Sequence, residues 1–227
     1  MTSQPLAYKP NVREKLLTHG AKSLSDTELM AVFISSGNAS RSNLELAHAL
    51  MEHLGDARAI FNTDLKTFQE VPGIGIVRYV QLQAIQELCR RSDLISLKKD
   101  TQLTNTQQTQ TFLKRQLRDK KNETFVALFL DSQNRVLSYE ELFTGTINTA
   151  SVHTRPIIER ILKLNAAALI VAHNHPSGLA DPSDYDLVFT ERLKNALDLV
   201  DAQLLDHLII GDNEVYSIME QIKWQCN

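Results

Sequence analysis

The stretch Ala166-Ala-Ala-Leu-Ile-Val-Ala-His-Asn-His-Pro-Ser-Gly-Leu-Ala-Asp-Pro-Ser-Asp-Tyr-Asp186 decides the fold. Its first seven residues are apolar without alternation, which predicts a strand buried on both faces, at the centre of a sheet covered by helices on each side. The run stops at His173-Asn-His, after which Pro176 and Gly178 turn the chain. Residues two apart on an extended segment point the same way, so His173 and His175 present both imidazoles together at the strand end. Ligand sites of open α/β sheets form at such ends.

Working outward, a helix is expected over about 183–199, then a strand Leu204–Gly211 and an edge strand from Glu214 to Ile218. On the other side lies a helix over 154–164. It is preceded by a helix near 106–118 and a hairpin of Thr124–Asp131 and Val136–Phe143 joined at Ser132-Gln-Asn-Arg. Residues 106–227 therefore read as an α/β domain with helices around a mixed sheet. Residues 96–105 are polar, rich in Gln and Thr, and read as a linker. Residues 1–95 read as a small all-helical domain. In it, Ser42 opens a helix whose stripe is Leu44, Ala47, Leu50, Met51 and Leu54, and a brief helix at 64–71 turns Leu65 and Phe68 inward. A longer helix, from Ile76 to about Arg91, shows a face of Val80, Leu82, Ile85 and Leu88.

Two imidazoles need a third ligand to make a catalytic zinc set, and Asp186, eleven residues past His175 in the first turn of the next helix, supplies one. Such a set leaves one corner of a tetrahedral ion open for water, whose pKa zinc lowers to about 7. A nearby Glu could then take that proton and pass it to a leaving amine; Glu140 and Glu141 are both candidates. Ser183 with Asp186 is equally a helix-capping pair, and the two roles are compatible.

Composition narrows the alternatives. With 43% hydrophobic and 22% charged residues among 227, the chain is an ordinary globular one rather than disordered. Its longest unbroken apolar run, Ala166 to Ala172, is too short to cross a bilayer, and Met1-Thr-Ser-Gln-Pro carries no signal pattern, so a cytosolic protein is expected. Cys89 and Cys226 make no Cys-x-x-Cys, which removes disulfide scaffolds and thiolate zinc. The net charge is −3, and the first 95 residues hold ten basic and ten acidic side chains, so nucleic-acid binding would need a local site. One candidate is Val71-Pro-Gly-Ile-Gly between two helices, a helix-hairpin-helix-like turn. There Gly73 and Gly75 would let backbone N–H groups approach a DNA phosphate, with Arg78 and Lys66 adding charge. Glycines also serve such turns as plain connectors, and Tyr79 stands where a small residue is usual.

The string His173-Asn-His-Pro-Ser-Gly-Leu-Ala-Asp-Pro-Ser-Asp-Tyr-Asp186 resembles the JAMM metalloprotease motif of MPN domains: His-x-His, seven residues, Ser, two residues, Asp. The flanking text resembles the RadC family (UPF0758, historically "DNA repair protein RadC"). Its resembling segments are Arg13-Glu-Lys-Leu-Leu, Leu24-Ser-Asp-Thr-Glu-Leu, Gly73-Ile-Gly, Gly145-Thr-Ile-Asn and Leu205-Asp-His-Leu-Ile-Ile-Gly. The resemblance implies an MPN fold with zinc on His173, His175 and Asp186, a Glu acting on water, and Ser183 stabilising the oxyanion. The family's usual position for the Glu, five before the Gly of Gly-Thr, selects Glu140. Where the family reads Val-His-Pro-Arg-Glu, this chain has Val152-His-Thr-Arg-Pro-Ile. His153 and the pair Asp206-His207 could orient the metal ligands, or be hydrogen-bonded residues of the interior with no part in the site.

These expectations add up to a zinc-dependent hydrolase acting on a peptide or isopeptide bond of a peptide or protein substrate. The alternative is a DNA-binding accessory protein of repair or recombination that uses residues 71–79, with the MPN domain as an interaction module. A nuclease read from the letters His173-Asn174-His175 fails because the acids that Mg²⁺ needs are not clustered, and nucleobase deamination fails for want of a Cys-x-x-Cys.

Overall fold

The computed structural model describes residues 11–34, 42–99, 106–145 and 152–225. The chain forms two compact units, Met1–Cys89 and Arg90–Asn227.

The first unit holds helices α1 (Val12–His19), α2 (Asp26–Phe33), α3 (Asn43–Leu54), α4 (Ala57–Asn62) and α5 (Leu65–Phe68), and the opening turns of α6 (Ile76–Lys99). Asn11, Ser25 and Ser42 each start a helix through a reciprocal capping box with the Glu three residues on. The core joins Met30, Ile34, Leu46, Leu50, Ile60, Phe68, Val71, Ile74 and Leu82. Leu44, expected on the buried stripe of α3, is exposed and Leu46 takes its place. Val80 and Leu88 of α6 are likewise exposed, while Leu82 is buried. The helix does not stop at Arg91 but runs to Lys99, into the stretch read as a linker, because Leu94 and Leu97 pack into the core of the second unit.

That second unit is built on a six-stranded mixed sheet in the order β2-β1-β3-β4-β5-β6. Its strands are β1 (Glu123–Leu130), β2 (Val136–Gly145), β3 (Ala168–Asn174), β4 (Gln203–Ile210), β5 (Glu214–Ser217) and β6 (Ile222–Gln225), and its further helices are α7 (Thr106–Leu117), α8 (Thr154–Leu164) and α9 (Asp184–Asp198). The hairpin of β1 and β2 is antiparallel, β1 pairs antiparallel with β3, and β3 pairs parallel with β4 across α9. β3 is buried along its whole length, as its unbroken apolar run requires. Ala168, Ile170 and Ala172 join one core with Phe112 and Leu113 of α7, while Leu169 and Val171 join another with Ile157 and Ile161 of α8 and Phe189, Leu193 and Leu197 of α9. Spaced by four, those last three form one buried stripe, each worth about 1.5–3 kcal/mol of transfer free energy.

β5 is not the sheet edge. β6 pairs outside it, from Glu214↔Gln225 to Ser217↔Ile222, after a tight turn in which Gln221 takes a left-handed φ of 57°. Pro156, where the chain departs from the family string, lies in the first turn of α8, where a missing N–H costs no helical hydrogen bond.

Candidate metal centre

Strand register brings the cluster together. On the antiparallel pair, Phe125 lies opposite His173, so the two share a face. Two residues further in each direction are Glu123 and His175, which fall on that same face. On the parallel side, His207 of β4 lies opposite Val171 and points the same way. α9 then adds Asp186 from its first turn.

The four side chains converge. The Nε2 atoms of His173 and His175 are 3.0 Å apart. Asp186 reaches both rings, Oδ1 at 3.3 Å from His173 Nε2 and Oδ2 at 3.8 Å from His175 Nε2. Glu123 Oε1 sits 3.6 Å from His173 Nε2 and, although buried, has no hydrogen-bond partner. His173 and Asp186 are almost wholly buried.

The proton positions follow from the outer partners. Thr190 Oγ1 lies 2.6 Å from the carbonyl of Asp186, which can only accept, so the hydroxyl hydrogen points there. The same Oγ1 is 2.6 Å from His207 Nδ1 and must accept from it, which leaves His207 Nε2 bare to accept from His173 Nδ1 at 2.9 Å. His173 Nε2 is therefore a lone pair. His175 Nδ1 donates to the carbonyl of Leu179 at 3.0 Å, which in the neutral ring makes Nε2 the lone-pair nitrogen. Burial, reinforced by the neighbouring imidazoles, holds His207 well below the ordinary histidine value. Burial also lowers His173, against the pull of Asp186 and with a smaller push from His175. In these tautomers the two imidazoles aim Nε2 lone pairs at one point, a contact that a cation between them makes favourable.

The donor set suits such an ion. Ligand atoms of a tetrahedral zinc lie about 3.3 Å apart for metal–ligand bonds of roughly 2.0–2.1 Å, close to the 3.0 Å and 3.3 Å separations here. Among the described residues the group able to hold a metal is Glu123, His173 and His175; Asp186 lies beside it, so two carboxylates compete for the third ligand position. Ser183 anchors one of the two: its backbone N–H and hydroxyl hold Asp186 Oδ2 at 2.8 and 2.6 Å, leaving Oδ1 turned to His173. Glu123 has no such anchor. Its pKa is pushed up to about 7, chiefly by burial and then by the charge of Asp186, which suits an acid that exchanges protons near neutrality.

Residues 103–224 match the family described as RadC-like JAB domain, and residues 3–80 the one described as UPF0758 N-terminal. The chain belongs to the RadC-like UPF0758 family. A UPF0758 protein of Legionella pneumophila (strain Corby) is 64% identical over 97% of each chain. One of Nitrosococcus oceani is 49% identical over 97% of this chain and 98% of its own. A third, of Pseudomonas savastanoi pv. phaseolicola, is 46% identical over 96% and 97%. The RadC-like JAB match agrees with the JAMM spacing, and its span runs from before β1 into β6.

The remaining sequence expectations fare differently. Glu140, expected as the proton carrier, does not join the cluster, and the acid that does is Glu123. Glu140 lies opposite Ala127, four residues along β1 from Glu123, about 13 Å at strand rise. There its carboxylate is taken by Arg160 of α8, with Nε at 2.7 and 2.8 Å. Arg160, foremost by hydrogen bonding, and Ser138 hold it below the ordinary carboxylate range against a smaller effect of burial. Glu141 pairs with Lys120 at 2.7 Å. Asp206 faces the opposite side of the sheet, where it accepts from Ser217 Oγ at 2.7 Å, and touches His207 only through that residue's backbone N–H. His153 is exposed at the start of α8. Thr146, Ile147 and Asn148, and Cys226, lie outside the described residues.

Asn174, the middle of His-x-His, was not singled out from sequence. It points to the other face, where Oδ1 accepts from Thr124 N at 2.8 Å and Nδ2 donates to Asn122 O at 3.3 Å and Lys120 O at 3.0 Å. Its amide thus clamps the peptide groups on both sides of Glu123. In the first unit, Gly73 has a φ of 96°, and an added Cβ would meet Leu46 Cδ2 at 3.0 Å. Val71 and Ile74 are buried around it, and Arg78 Nη1 donates to Gln81 at 2.6 Å. Among the described residues no helix is long and apolar enough to cross a membrane.

Proposed function

We propose that the C-terminal unit is a zinc-dependent hydrolase of the JAMM type, cleaving a peptide or isopeptide bond. His173 Nε2, His175 Nε2 and Asp186 Oδ1 hold the ion, and Glu123 carries the proton. What supports this most is the pair of lone pairs facing each other at 3.0 Å beside a buried, anchored carboxylate, a grouping that only a cation or a trapped proton relieves. When bound, zinc supplies Lewis-acid polarisation of a carbonyl and lowers the pKa of a coordinated water.

The chain's own groups do the rest. Glu123, with its buried and unpartnered Oε1, accepts a proton from the attacking water and returns it to the leaving amine. The His173–His207–Thr190 chain keeps His173 in the tautomer that leaves Nε2 free. Ser183 fixes Asp186 in the resting arrangement, and steadying an oxyanion would need its hydroxyl hydrogen redirected from Oδ2.

Metal titration of the purified chain, together with hydrolysis of a peptide and isopeptide library before and after chelation, tests this reading. It predicts one bound zinc and chelator-sensitive cleavage, both lost in Asp186→Ala. A chain that takes up no zinc, or an Asp186→Ala variant that holds it as well, would overturn the assignment.

A further inference from the structure

The loop between β3 and α9 carries His175, and it is strapped to the turn between β4 and β5. Asp212 N donates to Gly178 O at 2.8 Å, and His175 N donates to Ile210 O at 3.0 Å. The approach is close enough that a Cβ on Gly211 would lie 2.5 Å from Gly178 O and 3.1 Å from Ala180 N, so the strap requires glycine at that position. Within the strap, one side chain has a particular role. Glu214, at the start of β5, accepts the N–H of Ala180 on Oε1 at 2.6 Å. That N–H belongs to the peptide group whose carbonyl, on Leu179, accepts from His175 Nδ1 at 3.0 Å.

We propose that Glu214 is a positioning residue for the metal centre, acting on His175 through the single peptide group Leu179–Ala180. The inference rests on the metal-centre reading above. Drawing the peptide N–H toward a carboxylate fixes the plane of the peptide and increases the negative charge on its carbonyl oxygen. That oxygen then holds the proton on His175 Nδ1 and keeps Nε2 bare and directed at the ion. His173 gets the same service from His207 and Thr190, so each imidazole has its own outer support. The two supports come from different elements: β4 and α9 for His173, β5 for His175. Lys223 Nζ, at 3.4 Å from Oε1, and Gln225 Nε2, at 3.3 Å from Oε2, hold the carboxylate in turn. Hydrogen bonding from Ala180, first, and then from Lys223 keeps it ionised below the ordinary carboxylate range.

Zinc affinity, by competition with a chromophoric chelator, and the ¹⁵N resonances of His175 in the metal-free full-length chain test the idea together. Glu214→Ala is expected to weaken zinc about 10–100-fold and to turn a dominant Nδ1–H tautomer of His175 into a mixture. Glu214→Gln keeps an acceptor of the same shape for Ala180 and should restore most of the affinity and the tautomer. Ile222→Ala trims the outer strand of the same hairpin where it pairs with Ser217, away from Glu214 and the Leu179–Ala180 peptide, and should leave the tautomer unchanged. Wild-type affinity and tautomer in Glu214→Ala would overturn the proposal, as would an equal loss in Ile222→Ala, which would mark general loosening. If the wild-type chain binds no zinc, the metal reading falls, and the tautomer comparison in the metal-free chain still decides the role of Glu214.

Discussion

The strand end at His173 and the turn at Gly73 both stand out in the sequence as short motifs with a chemical meaning, yet they are built from opposite materials. At the strand end, side chains from β1, β3, β4 and α9 bring two bare imidazole nitrogens and two carboxylates within 4 Å of His173 or His175. The outer ring nitrogens of both histidines are held by hydrogen bonds, and Glu123 Oε1 is buried without a partner. At the turn, Val71 and Ile74 are buried, Gly73 provides a left-handed backbone, and the cation of Arg78 meets Gln81. The geometry there is accounted for by packing. A buried polar atom without a partner inside a well-satisfied shell points to chemistry, whereas the shape of a glycine turn follows from its packing whatever the turn contacts.

Substitutions can break this contrast, starting with the ligand set. Asp186→Asn keeps an acceptor for the Ser183 N–H and so keeps the helix cap, yet it should weaken zinc by at least about 100-fold, more than loss of an outer partner does, as read by chelator competition. Glu123→Gln should keep zinc within a few-fold and lower hydrolysis by about 10²–10⁴. In the same assay Glu140→Gln should stay near wild type. Equal losses in the two variants would return the proton carrier to open choice.

The clamp and the turn come next. Asn174→Ala leaves the Thr124 N–H without its buried acceptor and should cost about 1–3 kcal/mol in denaturant unfolding, with a loss of activity that exceeds the loss of zinc. Gly73→Ala forces a side chain into a positive φ against Leu46 and should cost about 1–2 kcal/mol, with zinc content unchanged. A loss of zinc in Gly73→Ala would blur the contrast.

The smallest effect expected is pH-dependent. The Glu140 carboxyl is held below its ordinary value in the folded chain by Arg160. Its stabilisation is therefore complete above the ordinary carboxylate pKa and fades as pH falls through the depressed one. Glu140→Gln should melt slightly below wild type at neutral pH, and the two curves should meet in acid. A difference that grows as the pH falls would reverse the sign.

Much of this was legible in the sequence where periodicity and chemistry coincide. The apolar run of β3 and the alternation around His173 and His175 place two ligands at a strand end, and Ser183 with Asp186 writes its own helix start. Glu123 was not legible as a lone acid before an apolar strand; its signal lies in alternation with Phe125, which only the β1–β3 register ties to His173. Glu140 was favoured by spacing along the chain, and spacing carries no information about Arg160 twenty residues on. The four residues of β6 alternate too briefly to be read as a strand, and α6 past Arg91 turns only Leu94 and Leu97 inward, with Ile95 exposed among polar residues. Glu214 opens β5 and acts through main-chain atoms, which leave no pattern in side-chain identity.

The most direct test of the central claim is anomalous diffraction at the zinc edge from crystals of the chain grown with zinc. The account predicts one strong peak bonded to His173 Nε2, His175 Nε2 and a single oxygen of Asp186, with Glu123 close by but not bonded to the ion. Empty density between the two imidazoles, or a peak bonded to Glu123 in place of Asp186, would contradict it.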